Sequence, residues 1–328
     1  KDIKPSDIMT DKAFENAIIC NTAIGGSTNF IIHLLAIAAR IRVPLKLEDF
    51  NAIAADIPLI VNLQPSGKYF MEDLYYAGGL PAVMKELENY LHKDCITANG
   101  KTVWQNVETV ECYNREVIAT SKQPVKDKGG VCVLKGNICE DGAVIKPSAA
   151  SNHLLQHTGR AVVFENIDDY KNRIDDAALD IDESCVMVLK NTGPKGYPGM
   201  PEVGNMGLPK KLLEKGITDI LRISDARMSG TGFGTVVLHV SPEAAVGGTL
   251  AIVQDGDMIT LDTNAKKLHL HVSDDEIAAR KKLLNPFVPS VNRGYAYLYQ
   301  QHVQQAHLGA DFDFLQGSSG SEVTKDSH

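Results

Sequence analysis

The sequence predicts an α/β protein in which the end of an N-terminal α/β domain is followed by a C-terminal β-barrel-like domain with flanking helices. Two observations predict this order. Apolar segments of helical length dominate residues 1–93, whereas short β-branched segments separated by turns dominate residues 129–328. Over residues 94–128, polar and β-branched residues replace helix formers, so we interpret this stretch as a linker between two domains.

The N-terminal part predicts helices joined by a loop of small residues. Asp11 suits the cap of a helix over residues 13–19, and residues 30–40 form a strongly apolar helix. His33 falls on the apolar face of that second helix, and we interpret it as a packing residue rather than a ligand. The remaining predicted elements are helices over residues 47–53 and 80–91, with a strand over residues 57–63 between them.

The second part predicts a barrel because short apolar segments recur with turns between them. A charged helix capped by Ser273 is predicted over residues 274–284, and a final helix over residues 294–308. The predicted strands cover residues 131–134, 144–145, 160–164, 186–189, 220–223, 236–240, 251–253, 258–261 and 268–272.

Composition excludes two classes of partner. The chain has 328 residues, of which 44% are hydrophobic and 23% charged, as in ordinary globular proteins. A formal net charge of −8 argues against nucleic-acid binding, which needs a basic face. The longest apolar run, residues 30–39, is far too short to span a bilayer. We therefore expect neither a nucleic-acid nor a membrane partner.

The cysteines do not form a metal-binding motif. There are six, and no two are spaced as CxxC, which argues against a self-contained zinc or cluster site. The chain opens in charged sequence at Lys1, without an initiator Met or the apolar segment of a signal peptide. We interpret it as a fragment with reduced thiols.

Two loops between the predicted strands at 186–189 and 236–240 are unusually rich in Gly and Pro. The first reads GPKGYPGMPE over residues 193–202, and the second reads SDARMSGTGFG over residues 224–234. Glycine lets a backbone approach a ligand closely, and loops on a rigid scaffold commonly carry chemistry. Composition alone leaves a purely structural turn as an equal alternative.

A third loop, GGSTN over residues 25–29, precedes the apolar helix at 30–40. Free backbone N–H groups at a helix start can bind an anion. The same residues also suit a close-packed bend with an ordinary cap, and the sequence leaves both interpretations open.

At these loops the chain resembles a known family. GPKGYPGMPEVGNMG and SDARMSGTGFGT together resemble the signature of the dihydroxy-acid and sugar-acid dehydratases. The segments AIGGSTNFIIHLLAIAA, LQPSGKYFMEDLYYAGGLPAV and LKGNICEDGAVIKPSAAS agree with it. GYPGMPEVGNMGLP, DFDFL and the final Asp-Ser-His are most similar to the aldonic-acid branch, the arabinonate and xylonate dehydratases.

The resemblance implies a fold, cofactors and a reaction. It implies an α/β domain followed by a β-barrel domain, with the active site between them. Mg²⁺ and an iron–sulfur cluster would act together to remove water from a 2,3-dihydroxy carboxylate and give a 2-keto-3-deoxy acid. The cluster cysteines and several Mg²⁺ ligands belong to the part of the family that precedes Lys1, so the chain resembles the C-terminal portion of the enzyme.

The resemblance also implies roles for residues of the two loops. Ser229 would be the base, acting as an alkoxide, and a serine needs such activation because it is otherwise a poor base. Glu202 would be a Mg²⁺ ligand, since hard cations prefer carboxylate oxygen. Thr231 would orient the substrate or Ser229.

Further candidates have open alternatives. Lys195 could attract the substrate carboxylate, or be an ordinary exposed lysine. His328 could reach back to tune Ser229 as a proton partner, or lie in a disordered terminus. Ser27 and Thr28 could line the cleft from the α/β side.

The leading hypothesis is a hydro-lyase acting on a sugar acid such as a pentonate. One alternative is the dihydroxy-acid dehydratase of branched-chain amino-acid biosynthesis, with the same chemistry on a smaller substrate. The other is an inactive fragment that binds a partner or completes a dimer. We expect a homo-oligomer, either a dimer or a tetramer, in the cytoplasm, and the sequence leaves an organellar location open because any targeting peptide would lie upstream of Lys1.

Overall fold

The computed structural model describes residues 2–230 and 232–317. The first part is helical, and the second forms a closed barrel of eight strands. The helices before the barrel are α1 (Pro5–Ile8), α2 (Asp11–Ile24), α3 (Asn29–Arg40), α4 (Asp49–Ile53), α5 (Met71–Tyr76), α6 (Gly79–Glu86) and α7 (Val103–Val107).

The barrel strands follow in the second part, with four more α-helices around them. The strands are β1 (Cys132–Gly136), β2 (Cys139–Ile145), β3 (Gln156–Phe164), β4 (Val186–Leu189), β5 (Leu221–Ser224), β6 (Val236–Ser241), β7 (Met258–Asp262) and β8 (Lys267–Leu270). The helices are α8 (Ile167–Arg173), α9 (Lys210–Leu213), α10 (Asp274–Lys281) and α11 (Gly294–His302).

Half of the barrel is parallel and half antiparallel. The order around the barrel is β1-β2-β6-β5-β4-β3-β7-β8. Strands β3, β4, β5 and β6 pair in parallel, whereas β2 pairs antiparallel with β1 and β6, and β7 with β3 and β8. An α/β fold containing a barrel is therefore confirmed. The domain boundaries at residues 93 and 128 stay a prediction.

The parallel strands are buried on both faces, which explains their continuous apolar sequence. In β4, Val186 and Val188 belong to the cluster that fills the barrel. Met187 and Leu189 lie on the outside of the barrel, in a cluster covered by residues of α8 and α9. The strand predicted at 186–189 is confirmed with the same bounds.

Helix α3 packs on the outer face of the antiparallel half. Its Ile31 and Leu35 share a cluster with Val133 of β1 and Val144 of β2. Each fully buried aliphatic side chain of this kind contributes about 1.5–3 kcal/mol. This packing fixes the N-terminal end of α3 against the barrel.

Two predicted strands are wrong. Residues 249–252 form a 3₁₀ turn, because Ala251 N–H donates to the carbonyl of Gly248 instead of to a neighbouring strand. Their apolar side chains help to fill the barrel, so the apolar run reflects burial rather than strand structure. Residues 57–63 make only isolated bridges at Leu59, Val61 and Leu63.

Three details of the helices also differ from the predictions. Thr10, not Asp11, is the N-cap of α2. The final predicted helix divides, with α11 ending at His302 and a 3₁₀ turn over Ala306–Leu308. His33 is exposed, because α3 packs through the residues on either side of it, so its interpretation as a packing residue is wrong.

No helix in the described ranges has the length and apolar character needed to cross a membrane.

Candidate active site

The two Gly-rich loops leave the same rim of the barrel. The first loop (residues 190–209) follows β4, and the second loop (residues 225–235) follows β5. These strands are parallel neighbours in register, with Leu189 opposite Ser224 at their carboxyl ends. The carboxyl ends of parallel strands meet at one edge of a sheet, which is where ligands bind in many α/β proteins. The two loops are therefore neighbours in space.

Asn29, the first residue of α3, joins the two loops. Its Nδ2 donates to Glu202 Oε1 of the first loop at 2.7 Å and to the Met228 carbonyl of the second loop at 3.0 Å. Both partners are acceptors, so the amide must turn its NH₂ group towards them. The Asn29 Oδ1 atom is left buried and without a hydrogen-bond partner among the described residues.

The loop before α3 also touches the second loop. A Cβ added to Gly230 would lie 3.0 Å from the Ser27 Cβ and 3.1 Å from its Oγ, so a larger residue would crowd Ser27 at this close approach. The Ser27 Oγ in turn accepts from the Asn29 N–H at 3.2 Å. Met228 and Gly230, the two neighbours of Ser229, are thus both held against the start of α3.

Backbone contacts fix the two loops to each other. Gly204 N–H donates to the Arg227 carbonyl at 2.9 Å, and Arg227 Nε donates to the Met200 carbonyl at 2.5 Å. The Gly232 N–H closes a turn on the Ser229 carbonyl at 3.0 Å. Ser229 and Glu202 are both exposed at this rim, where a small molecule could reach them.

A buried carboxylate holds the first loop from below. Glu243 accepts from the Lys195 N–H at 2.9 Å and the Gly196 N–H at 2.8 Å, and from Gln305 Nε2 at 2.6 Å. Burial, and then the neighbouring Asp225 carboxylate, raise the pKa of Glu243 to about 7, although its hydrogen bonds oppose the shift.

Asp225 links the same loop to the start of the second. Its Oδ1 accepts from the Thr192 N–H and hydroxyl at 2.9 and 2.8 Å, and its Oδ2 accepts from the Ala244 N–H at 2.9 Å. Complete burial raises the pKa of Asp225. The rim thus rests on two buried acidic side chains whose hydrogen bonds go mainly to loop backbone.

The structure brings some of the predicted site residues together. Ser27, Glu202 and Ser229 meet around Asn29, as described above. Thr28 is buried as the N-cap of α3, with no side-chain bond to the helix N–H groups. Lys195 Nζ lies 6.0 Å from the centre of the Phe287 ring.

Two predicted residues, Thr231 and His328, lie outside the described residues. Their proposed roles stay predictions.

Sequence reasoning missed Asn29 and Glu243. In the sequence Asn29 is one residue of a small-residue loop, and the amide that follows GGST is the only local signal of its role. Glu243 follows a strand by two residues, and nothing local distinguishes it from a surface glutamate. Both act through partners that are distant in sequence.

The residues present can contribute oxygen ligands to a hard cation but do not suit an iron–sulfur cluster. The exposed Glu202 carboxylate and the unpartnered Asn29 Oδ1 are oxygens of the kind that Mg²⁺ prefers. No group of three or more His, Cys, Asp or Glu among the described residues could hold a metal. Burial raises the pKa of the thiols of Cys20, Cys132 and Cys139 to about 12, 11 and 12, which keeps them protonated.

Comparison with known proteins identifies similar sequences along the chain. The model of the dihydroxy-acid/6-phosphogluconate dehydratase C-terminal domain matches residues 116–310, and that of the N-terminal domain matches residues 1–106. An L-arabinonate dehydratase of Rhizobium leguminosarum bv. trifolii is 60% identical over all of this chain and 57% of its own length.

More distant relatives carry other substrate names. A dihydroxy-acid dehydratase of Caldicellulosiruptor bescii is 44% identical over 94% of this chain and 56% of its own length. A D-xylonate dehydratase of Caulobacter vibrioides is 42% identical over 95% of this chain and 54% of its own length. The chain thus spans little more than half the length of the relatives it matches.

Replacing Asn29 by leucine should loosen both loops together. The change removes one bond to a carboxylate and one to a buried carbonyl, a loss of about 1.5–3 kcal/mol. Hydrogen exchange in peptides covering residues 200–206 and 226–230 should accelerate by about tenfold or more.

Asn51→Leu is the matched control, because Asn51 joins α4 to Val133 with two similar bonds away from the rim. It should leave exchange in the two loops unchanged. Equal effects of the two variants on the loops would contradict the role of Asn29.

Replacing Glu243 by glutamine should alter the pH dependence of stability. Folding raises the pKa of Glu243 to about 7, so between its unfolded pKa and pH 7 the folded state binds more protons. Its contribution to the free energy of unfolding therefore falls as pH rises, by about 2 kcal/mol between about pH 5 and pH 7. Urea unfolding of both proteins at the two pH values should show this difference.

The exposed Glu183→Gln serves as control. If the free energies of unfolding of the wild type and Glu243→Gln differ by the same amount at both pH values, Glu243 is not a buried carboxylate that titrates in this range.

Proposed function

We propose a function that proceeds from one premise: the chain belongs to the dihydroxy-acid/6-phosphogluconate dehydratase family. It is part of a hydro-lyase that dehydrates a 2,3-dihydroxy carboxylate, a sugar acid such as a pentonate, to a 2-keto-3-deoxy acid. The observation that carries this proposal is the pair of bonds from Asn29 to Glu202 and to the carbonyl next to Ser229. They hold a carboxylate and a hydroxyl at one exposed rim.

Ser229 is the proposed base. Dehydration requires that the C2 proton be removed and that the C3–O bond break, with the C3 oxygen leaving as hydroxide. Hydroxide becomes water by taking up one proton, so the proton lost from C2 and the hydroxide lost from C3 together account for the water released. The electron pair of the C2–H bond forms the double bond of an enol, which then tautomerises to the 2-keto acid. Ser229 would receive the C2 proton on its oxygen, and the contacts of Met228 and Gly230 would keep that oxygen in position.

Glu202 is the proposed Mg²⁺ ligand in this chain, with Asn29 orienting its carboxylate. Bound magnesium would supply a Lewis acid that eases departure of the C3 hydroxyl. The Asn29 bond leaves the second carboxylate oxygen of Glu202 for the cation. The thiols of the described residues do not suit a cluster, so no step of this mechanism involves them.

The substrate proposal rests on the relatives. The relative named for L-arabinonate shares 60% identity with the chain, against 44% for the relative named dihydroxy-acid dehydratase. We therefore favour a pentonate, with a branched 2,3-dihydroxy acid as the second candidate. The Thr231 and His328 roles, the domain boundaries, an assembly of identical subunits and a cytoplasmic location belong to the same proposal, and Lys195 is one candidate partner of the substrate carboxylate.

The complete gene product should dehydrate L-arabinonate in the presence of Mg²⁺, with formation of a 2-keto-3-deoxy acid. Ser229→Ala should lower kcat by about a thousandfold or more, because it removes the proposed acceptor of the C2 proton. The assay is the appearance of the 2-keto acid, with 2,3-dihydroxyisovalerate as the competing substrate.

Ser273→Ala is the control, since Ser273 caps α10 by accepting from the Glu276 N–H, away from the rim. It should leave kcat unchanged. Turnover of 2,3-dihydroxyisovalerate in preference to L-arabinonate would replace the first candidate by the second, and full activity of Ser229→Ala would remove Ser229 as the base.

A further inference from the structure

Lys146 lies between the two parts of the candidate site without a role in the function proposed above. It directly follows β2 and precedes a 3₁₀ turn over Pro147–Ala149. Strand β2 pairs with β6, with Ile145 opposite Val237, so Lys146 stands beside the point where the second loop enters β6.

The turn after Lys146 contacts both sides of the rim. The Gly234 N–H, at the end of the second loop, donates to the Ala149 carbonyl at 3.0 Å. On the other side, a Cβ added to Gly25 would lie 3.5 Å from the Ser148 Oγ. Residues 146–149 thus fill the space between the second loop and the loop that leads to Asn29.

Lys146 is buried without a counter-charge. Only 5% of its surface is exposed, and no hydrogen bond or ion pair is found for its ammonium among the described residues. Lys190 is equally buried, at 3%, but its Nζ is paired with Glu165 Oε1 at 2.8 Å. A buried ammonium is unfavourable unless an anion pairs with it. Lys190 already has such an anion in Glu165, whereas Lys146 still needs one.

The pKa of the Lys146 ammonium is lowered, as expected for a buried amine with no anion beside it in the described ranges. Burial lowers the pKa of the Lys146 ammonium to about 8, and burial is the only cause. The charged groups on the neighbouring elements are Lys126, which donates to the Ser148 carbonyl, and Asp219, which accepts from the Ser151 N–H. Neither contributes to the shift, nor do Glu202 and Arg222 at the rim.

We propose that Lys146 is the residue that pairs with the carboxylate of the bound substrate. This inference rests on the proposed function, because it assigns the carboxylate of the sugar acid as the anion. A bound carboxylate would supply the negative charge that no described residue places beside Lys146. The Lys146 amine would take up a proton as the ligand binds. Lys195, the other predicted partner of the carboxylate, is half-buried with its ammonium near Phe287.

The test is the affinity of the complete, Mg²⁺-loaded gene product for L-arabinonate, measured by calorimetry in a Ser229→Ala background so that no turnover occurs. Lys146→Met should raise Kd by about tenfold or more, the usual worth of a charge-assisted bond. The affinity for the neutral L-arabinitol should not change. Lys211→Met, at a half-buried lysine of α9 away from the rim, should not weaken L-arabinonate binding.

Proton uptake separates a direct partner from a structural residue. Binding of L-arabinonate at about pH 8 should take up roughly half a proton in the Ser229→Ala protein, from calorimetry in buffers of different ionisation enthalpy, and none when Lys146→Met is added to it. Unchanged Kd and proton uptake in a folded Lys146→Met protein would overturn the inference, as would a loss seen only in Lys195→Met.

The outcomes also distinguish this inference from the proposed function. Lys146-dependent binding without dehydration would leave the inference standing and remove the reaction. Dehydration of L-arabinonate by the wild type, with unchanged L-arabinonate binding in Lys146→Met, would leave the proposed reaction standing and remove the inference about Lys146.

Discussion

The amide of Asn29 is the interaction on which the candidate site depends. Its two N–H groups bond a carboxylate 173 residues away and a carbonyl 199 residues away, so one side chain sets the positions of both barrel loops. The cost is a buried amide oxygen that has no hydrogen-bond partner in residues 2–230 and 232–317, which ordinary structural asparagines avoid. Such an exception suggests that the orientation of Glu202 matters more here than the loss of one hydrogen bond.

The barrel supports this contact with buried charge. Asp225 and Glu243 hold the first loop through backbone N–H groups, while the Arg222 guanidinium donates to the carbonyls of Met206 and Phe233 and to Asp219. Burying charges is unfavourable unless they are bonded, and these groups are bonded mainly to the loops. Loops rich in glycine, which would otherwise be mobile, are thereby held to a rigid rim.

Local pattern predicted the barrel but not the site. The strand at 186–189 could be predicted because both of its faces are buried, which gives a short unbroken apolar run. The strand predicted at 251–253 falls instead at the end of a 3₁₀ turn over Thr249–Ile252 whose side chains fill the barrel, since periodicity cannot tell one buried segment from another. Ser229 and Glu202 could be predicted only from the family resemblance. At the loop before α3, the sequence does not distinguish Ser27 from Thr28 as the residue that faces the site. Asn29, Glu243 and Lys146 gain their importance from neighbours that only the folded chain supplies.

The central claim is that Glu202 and Ser229 form one catalytic unit at the barrel rim. The most direct test is a double-mutant cycle on kcat/KM for L-arabinonate with Glu202→Gln, Ser229→Ala and the combined variant. Residues that act as a unit lose their effect together, so the combined variant should be about as impaired as the worse single variant. Losses that multiply would contradict the claim, because they would show that the two side chains act independently.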